Sequence, residues 1–345
     1  MRSFRIKLFI TKWANYEYWP WLIFFLPLVP VHFYFALKSR YFYYLTAANP
    51  GIDLGGLFGE SKKEILDRFS DDYKPKTHLH LKEELTSQTL ETLEKRGFEA
   101  PYILKPNIGE RGDQVLKTES LAIIEQIINS KPLDYIIQEF IDYPFEFGVL
   151  YGRLPGAETG SVRSVVMKRF LTVTGDGSSN IEQLLYQNKR AWFQMDRFRE
   201  EKSELLKEVL SKGHSKVIEP IGNHCKGTEF INANHLINVK LNQIFDSISK
   251  QFEGFYYGRF DLKVRSIEEF SEGKTIKIFE LNGVTSEAGH IYDKNYSLFK
   301  AYRDVAREMS FIYQISKRNI ISGIKPLNAM FVTKLILKHF KNKNI

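Results

Sequence analysis

Two stretches, GRFDLKV (258–264) and KIFELNG (277–283), constrain this chain more than any other part of it. Both read as strands. Side chains alternate between the two faces of a strand, so Arg259 and Asp261 share one face of the first, opposite Phe260, Leu262 and Val264. In the second, the same rule puts Ile276, Ile278, Glu280 and Asn282 on one face, an apolar stripe that turns acidic at its tip. The pair demands a sheet with one face on a core and a set of convergent polar groups. Asp261, Glu280 and Asn282 are hard oxygen donors of the kind Mg²⁺ prefers. Arg259 beside them can stabilise a transferring phosphoryl group. The plainer alternative is an ion pair between Arg259 and one acid, with Asn282 opening a turn at Gly283.

Upstream, YILKPNIGERGDQV places Lys105 at the end of an apolar strand, followed by a loop with Gly109 and Gly112. Glycines let backbone N–H groups approach an anion, and the lysine adds a point charge. Taken alone, a surface hairpin explains it equally well. In IIQEFIDYPFEF, Glu139 leaves a strand and Glu146 follows seven residues later. Backbone at such a strand end can hold an adenine while a carboxylate takes ribose hydroxyls; solvated loop acids are the alternative. TSQTLETLEK before Gly97 and LAIIEQIINS have helical periodicity, VRSVVMKRFLTV reads as one strand, and a helical, charged stretch occupies about 181–212. In EPIGNHCKGTEFIN, His224 sits in a glycine-bounded loop, where binding groups often lie. The spaced glycines of NPGIDLGGLFGESK follow no strand, which argues against a dinucleotide-binding fold.

In chain order these signals run lysine, glycine loop, strand with Glu, Arg-x-Asp, Glu-x-Asn. That order resembles the ATP-grasp superfamily over about 60–300, closest to D-alanine–D-alanine ligases and cyanophycin-synthetase-like ligases. The resemblance implies an α+β ATP-grasp fold, two subdomains clamping ATP, with an apolar N-terminal segment added. It implies that Lys62 and Lys105 bind the nucleotide phosphates and that Gly109 and Gly112 form the phosphate loop. Glu139, Phe140 and Ile141 would make the adenine hinge, and Glu146 would take the ribose. Asp261, Glu280 and Asn282 would hold Mg²⁺, or Mn²⁺ in its place. Arg259, Lys105 and Lys168, the last just before the VTGDG turn, would serve catalysis. His224, Ser286 and His290 are substrate candidates; the loop GVTSEAGHIYD departs from the D-alanine ligase pattern by moving its serine and adding Glu287, His290 and Asp293. The implied activity is ATP-dependent amide formation between an unidentified carboxylate and amine through an acylphosphate. An ATP-grasp kinase acting on a hydroxyl, or a non-catalytic nucleotide-binding protein attached to a membrane, are the alternatives.

At 345 residues the chain is long enough for two or three domains. Its +8 formal charge favours anionic partners, but no basic stripe is interleaved with stacking aromatics, so nucleic acid is not an expected partner. A single cysteine, Cys225, excludes an intrachain disulfide and fits a reducing cytoplasm. From Trp19 to Leu37 no charged residue occurs, a run of about the length needed to cross a bilayer. Pro20, Pro27 and Pro30 interrupt it, basic residues flank it on both sides, and Trp and Tyr surround it. That pattern favours a segment lying at, or dipping into, the inner face of a membrane over a clean crossing; an aromatic core helix is the alternative. NAMFVTKLILKHFKNKNI reads as a basic amphipathic helix, with Lys334, Lys338 and Lys341 on one face and Phe331, Leu335, Ile336 and Phe340 on another, suited equally to an anionic leaflet or to packing as a terminal helix on its own domain. The expected organisation is therefore 1–45 apolar and membrane-associated, 46–100 a truncated pre-ATP-grasp region, 101–310 the ATP-grasp domain and 311–345 a basic tail. A homodimer is an admissible assembly.

Overall fold

The computed structural model describes residues 2–109 and 114–343, so Gly112 of the expected phosphate loop lies outside the described residues. β1 (Thr77–His80), β2 (Tyr102–Pro106), β3 (Leu116–Thr118) and β4 (Tyr135–Glu139) form a sheet in the order β1-β4-β2-β3, antiparallel throughout. The helices Thr86–Lys95 and Leu121–Ser130 cover it, seating Leu93, Ile124 and Ile128 on Leu104, Tyr135 and Ile137. The buried Ile124 and Ile128 stand four apart, the spacing that puts two side chains on one helix face. Ser61 caps the short helix Lys62–Leu66, its hydroxyl accepting the Glu64 N–H at 3.2 Å.

The second sheet is built from β5 (Phe145–Gly152), β6 (Ser161–Arg169), β9 (Glu229–Asn232), β10 (Tyr257–Val264) and β11 (Lys277–Asn282), ordered β11-β10-β5-β6-β9. Between β6 and β9, β7 (Leu171–Thr174) and β8 (Ser215–Glu219) make a small two-stranded sheet with its own core of Val173, Leu185 and Phe198. The stretch read as a single strand over 162–173 thus breaks at Phe170, where the chain leaves one sheet for another. The stretch read as one long helix is three short ones, Ile181–Tyr186, Met195–Glu201 and Ser203–Lys207. Its apolar residues must wrap a small core, which a straight rod cannot do.

One face of the second sheet packs on the helix Val239–Lys250, with Phe147, Phe260, Leu262 and Ile278 against Leu241, Phe245 and Ile248. Here the structure corrects the strict alternation expected in β11. Asp261 pairs with Glu280 but Leu262 pairs with Ile278, so Phe279 is an extra, unpaired residue. Such a bulge moves everything beyond it to the other face. Ile278 and Leu281 both reach the core, while Glu280 and Asn282 face away from it.

The N-terminal region is helical from Arg2–Ala14 and again through Trp21–Phe25, Leu26–Leu28 and Val29–Ser39. Phe24 and Leu28 bury themselves against Ala301 and Val305 of the long helix Leu298–Ile321, and Phe35 stacks on Tyr313 at 4.8 Å. Fully buried Asn49 then ties the chain to the body: its side-chain oxygen accepts the Tyr256 and Tyr257 N–H groups and its amide donates to the Gly55 and Tyr257 carbonyls. Two expected boundaries fall inside continuous structure. β1, within 46–100, hydrogen-bonds into the sheet of 102–139, and one helix runs unbroken across 310 and 311.

Candidate active site

The face of the second sheet turned from its core carries the site. Partners across neighbouring strands lie side by side on one face, and the registers stack three rows there. The first holds Lys263, Glu146 and Lys168. The second holds Glu280, Asp261, Gly148 and Val166, and the third Asn282, Arg259, Leu150 and Ser164. Gly148 is required by this crowding: a Cβ there would stand 3.2 Å from Asp261 Oδ1 and 2.9 Å from a Val166 methyl. Arg259 grips Asp261 with two hydrogen bonds of 3.2 Å, and Lys168 Nζ lies 2.9 Å from Glu146 and 3.3 Å from Asp261. Burial opposes the charge on Asp261, but Arg259 and Lys168 outweigh it and hold its pKa below the usual carboxylate value. Burial likewise opposes the charge on Lys168, and Asp261 and Glu146 overcome it, leaving the ammonium more basic than usual.

The first sheet meets this face across a cleft lined by Gly59, Lys62, Gly109, Glu280, Asn282 and Thr285. Lys62 donates through Nζ to the Gly109 carbonyl, so the two expected phosphate contacts touch each other. Asn107, not singled out from sequence, organises them by accepting the Lys63 N–H at 3.0 Å and offering its carbonyl to the Lys62 N–H at 3.2 Å. Buried Lys105 bridges the two sheets, donating to Gln138 Oε1 (3.1 Å) and to the Phe279 carbonyl (3.0 Å), a group the bulge frees from the ladder. Burial pushes the Lys105 pKa down to about 8, with Glu280 pulling it back up and Lys62 adding to the fall. Behind Glu280 and Asn282 the glycine-rich entry segment lies backbone to backbone on the strand end. A Cβ on Gly56, itself at φ +79°, would fall 2.5 Å from the Gly283 Cα.

At the expected adenine hinge, the Glu139 carboxylate and N–H both bond Lys76 backbone, the first at 3.2 Å and the second at 3.0 Å. The Phe140 ring lies under Lys117 at 3.7 Å and Lys263 at 4.6 Å, and the Ile141 carbonyl accepts from Lys263 at 3.0 Å. Lys263 was missed, though it extends the Arg-x-Asp alternation by one step. Glu146, expected at the ribose, spends its buried carboxylate on Lys168. Lys168, expected to serve catalysis, sits between Glu146 and Asp261.

The substrate candidates separate. His290 is buried, with Nδ1 2.7 Å from Ser164 Oγ and Nε2 3.4 Å from Asp304, so both ring nitrogens are engaged inside the fold. The Ser286 hydroxyl donates to the Asn282 and Gly283 carbonyls and closes the turn after β11. His224 packs its ring 5.3 Å from those of Phe230 and Tyr292, and the Tyr292 hydroxyl donates to Glu287. Beside it, Arg190 pairs with Glu17 at 2.5 Å. No local pattern marks that pair, whose members stand 173 residues apart.

Asp261, Glu280 and Asn282 supply three oxygen donors on neighbouring positions of two paired strands, with Asn282 Nδ2 3.4 Å from Asp261 Oδ2. Among the described residues no three His, Cys, Asp or Glu side chains cluster as a metal site. The set therefore fits a cation that takes few protein ligands and completes its shell with water and phosphate, which is the habit of Mg²⁺.

No curated protein matches this chain. Among solved structures it is similar to a bifunctional glutathione synthetase from Pasteurella multocida, with 12% identity, TM-score 0.38 and coverage of 70% of this chain and 34% of that one. It is also similar to a D-alanine–D-alanine ligase from Bacillus anthracis (17% identity, TM-score 0.40, 76% and 69% covered). A D-alanine–D-alanine ligase from Coxiella burnetii is a further likeness (8% identity, TM-score 0.37, 79% and 57% covered). The chain thus spans about a third of the glutathione synthetase's length. Residues 69–146 match the family model described as the RimK-like ATP-grasp domain, a stretch that contains the whole first sheet, Lys105, Gly109, the expected hinge residues Glu139, Phe140 and Ile141, and Glu146. That match likens residues 69–146 to the RimK-like ATP-grasp domain, as the motifs within that stretch led one to expect.

Proposed function

We propose that the chain is an ATP- and Mg²⁺-dependent carboxylate–amine ligase that forms an amide through an acylphosphate. One observation carries the reading: Lys62 and Gly109 line one cleft with Glu280 and Asn282, while Lys105 reaches from β2 to the Phe279 carbonyl of β11 and Asp261 and Arg259 stand beside Glu280 and Asn282 on β10. Such a cleft suits a polyphosphate, with cations and N–H groups on one wall and oxygen donors on the other. Lys62 and Lys105 bind phosphate oxygens, and the Phe140–Ile141 segment with Lys263 borders the base. Asp261, Glu280 and Asn282 would hold Mg²⁺ or Mn²⁺, which would supply neutralising charge to the phosphates. Arg259, oriented by its two bonds to Asp261, faces the charge that develops as the substrate carboxylate oxygen attacks the γ-phosphorus. The bond from γ-phosphorus to the bridging oxygen breaks and ADP leaves with the electron pair. The amine nitrogen then attacks the acyl carbon, phosphate departs, and the ammonium proton is lost to solvent. His224 and Arg190 border the side from which an acid or amine would approach.

The test is ADP release by the purified protein with ATP and Mg²⁺, across amino acids, small peptides and sugar acids. ADP that requires both an acid and an amine supports the ligase. ADP formed with a hydroxyl compound alone would turn the reading to a kinase, and ATP binding without ADP from any combination would refute turnover of these classes. Glu280→Gln should abolish turnover while leaving the thermal unfolding curve in place; normal turnover would remove Glu280 from the site.

A further inference from the structure

We infer that both ends of the chain form one docking surface for an anionic lipid bilayer, lying on a single leaflet rather than crossing it. The run Trp21–Ser39 is helical, long enough and apolar enough to cross a membrane. Its packing decides against that. One stripe, Phe24, Leu28, Phe35 and Ala36, is buried on the water-soluble body against the helix Leu298–Ile321. A crossing would have to strip this stripe from Ala301, Val305 and Tyr313. The opposite side holds Leu22, Leu26, Phe33 and Leu37 in the open, Leu37 at 79% exposure and Leu22 at 72%. The preceding helix Arg2–Ala14 likewise exposes Ile6, Phe9, Ile10 and Trp13. A soluble surface rarely leaves so many large apolar side chains of neighbouring helices uncovered.

The C-terminal helix Ala329–Lys343 joins the same region. Tyr43 hydrogen-bonds Thr333 at 3.1 Å, and the Thr46 hydroxyl accepts the Leu327 N–H at 3.0 Å. Met330, Phe331 and Leu337 are exposed on it, beside exposed Lys334 and Lys338.

Charge names the occupant. Residues 1–45 and 321–345 contain eleven Lys and Arg and one acid, Glu17, which is buried on Arg190. The ends therefore carry +10 of a total of +8, leaving −2 for everything between them. Apolar side chains ringed by Lys and Arg, with Trp and Tyr among them, match a leaflet with anionic headgroups. A second copy of this chain would bring the same positive field and repel it. The surface is separate from the cleft, so it stands or falls independently of the ligase reading.

The full chain is mixed with vesicles of phosphatidylcholine alone or with phosphatidylglycerol added, and floated on a density gradient. Binding should be at least tenfold stronger to the anionic vesicles, and weaken with salt. Trp fluorescence should shift to the blue and be quenched by brominated acyl chains. The triple variant Leu22→Glu, Leu26→Glu, Leu37→Glu changes only exposed side chains; it should lose at least tenfold in vesicle binding while its ATP binding is unchanged. Equal flotation of variant and wild type would overturn the inference, as would equal binding to both vesicle types. A dimer dissolved by the triple variant, without vesicle binding, would assign the surface to self-association. Protease protection of the two flanks of 21–39 on opposite sides of the vesicle would show a crossing and refute the one-leaflet geometry.

Discussion

Lys168→Met tests the electrostatics of the site without reference to any ligand. Lys168 is 7% exposed and neutralises two buried carboxylates, Glu146 at 2.9 Å and Asp261 at 3.3 Å. Methionine matches its length and removes only the charge. Asp261 keeps its two bonds to Arg259, whereas Glu146 has no other ion-pair partner among the described residues within 4.0 Å. Removing one member of a buried pair typically costs about 3–5 kcal/mol. In a chain of this size that lowers the melting temperature by roughly 4–7 °C. The pH dependence has a definite sign. Without Lys168, Asp261 loses one of the two cations that hold its pKa down. Its contribution to stability, present above the unfolded-state pKa and lost as pH falls through the folded one, shrinks. The gap between variant and wild type should accordingly be larger at pH 7.5 than at about pH 2–3, below the ordinary carboxylate pKa. Differential scanning calorimetry of wild type, Lys168→Met, Glu146→Gln and the double variant closes the cycle. The double variant should recover at least 1 kcal/mol of the single-variant losses, within the range of coupled neighbours. A melting point within about a degree of wild type for Lys168→Met, or zero coupling in the cycle, would refute the reasoning.

Lys105, with its pKa near 8 against an ordinary 10.5, gives a second pH test. Because the unfolded chain holds that proton up to a higher pH, this group alone should raise stability by about 3 kcal/mol as pH climbs from 8 to 10.5. ATP should favour its charged form, so affinity measured by calorimetry should weaken up to tenfold per unit above pH 8. Lys105→Met should flatten that slope; an unchanged slope would exclude the lysine as its source. Gly148→Ala forces a methyl against Asp261 and Val166. It should cost about 1–3 kcal/mol in stability and at least tenfold in ADP release; full activity would mean the rows of the sheet are looser than they look. Glu17→Gln breaks the buried pair with Arg190, and limited proteolysis should then cut within residues 14–21 faster, an effect absent if that pair does not hold the segment.

Much of this was written locally. Helix periodicity at Leu121–Ser130, the Ser61 cap and the alternation of Arg259 and Asp261 depend on residues a few positions apart, where backbone geometry alone dictates who faces whom. The order of Lys105, Gly109, Arg259, Asp261, Glu280 and Asn282 was enough to draw the ATP-grasp resemblance, and the first two fall within the stretch 69–146 that matches the RimK-like ATP-grasp domain. What escaped depended on partners distant in sequence. The Phe279 bulge, invisible in an unbroken apolar alternation, arises because both Ile278 and Leu281 must reach one core, and it frees the carbonyl that Lys105 binds. His290 reads as an available loop histidine until Ser164 and Asp304 close around it. Glu146 and Lys168 each read as ligand contacts until the register of β5 on β6 sets them against each other. Composition by itself established that the ends are apolar and basic. Only packing decided that Phe24, Leu28 and Phe35 belong to the body while Leu22, Leu26 and Leu37 do not, because burial is a property of neighbours and the chain names none of them in advance.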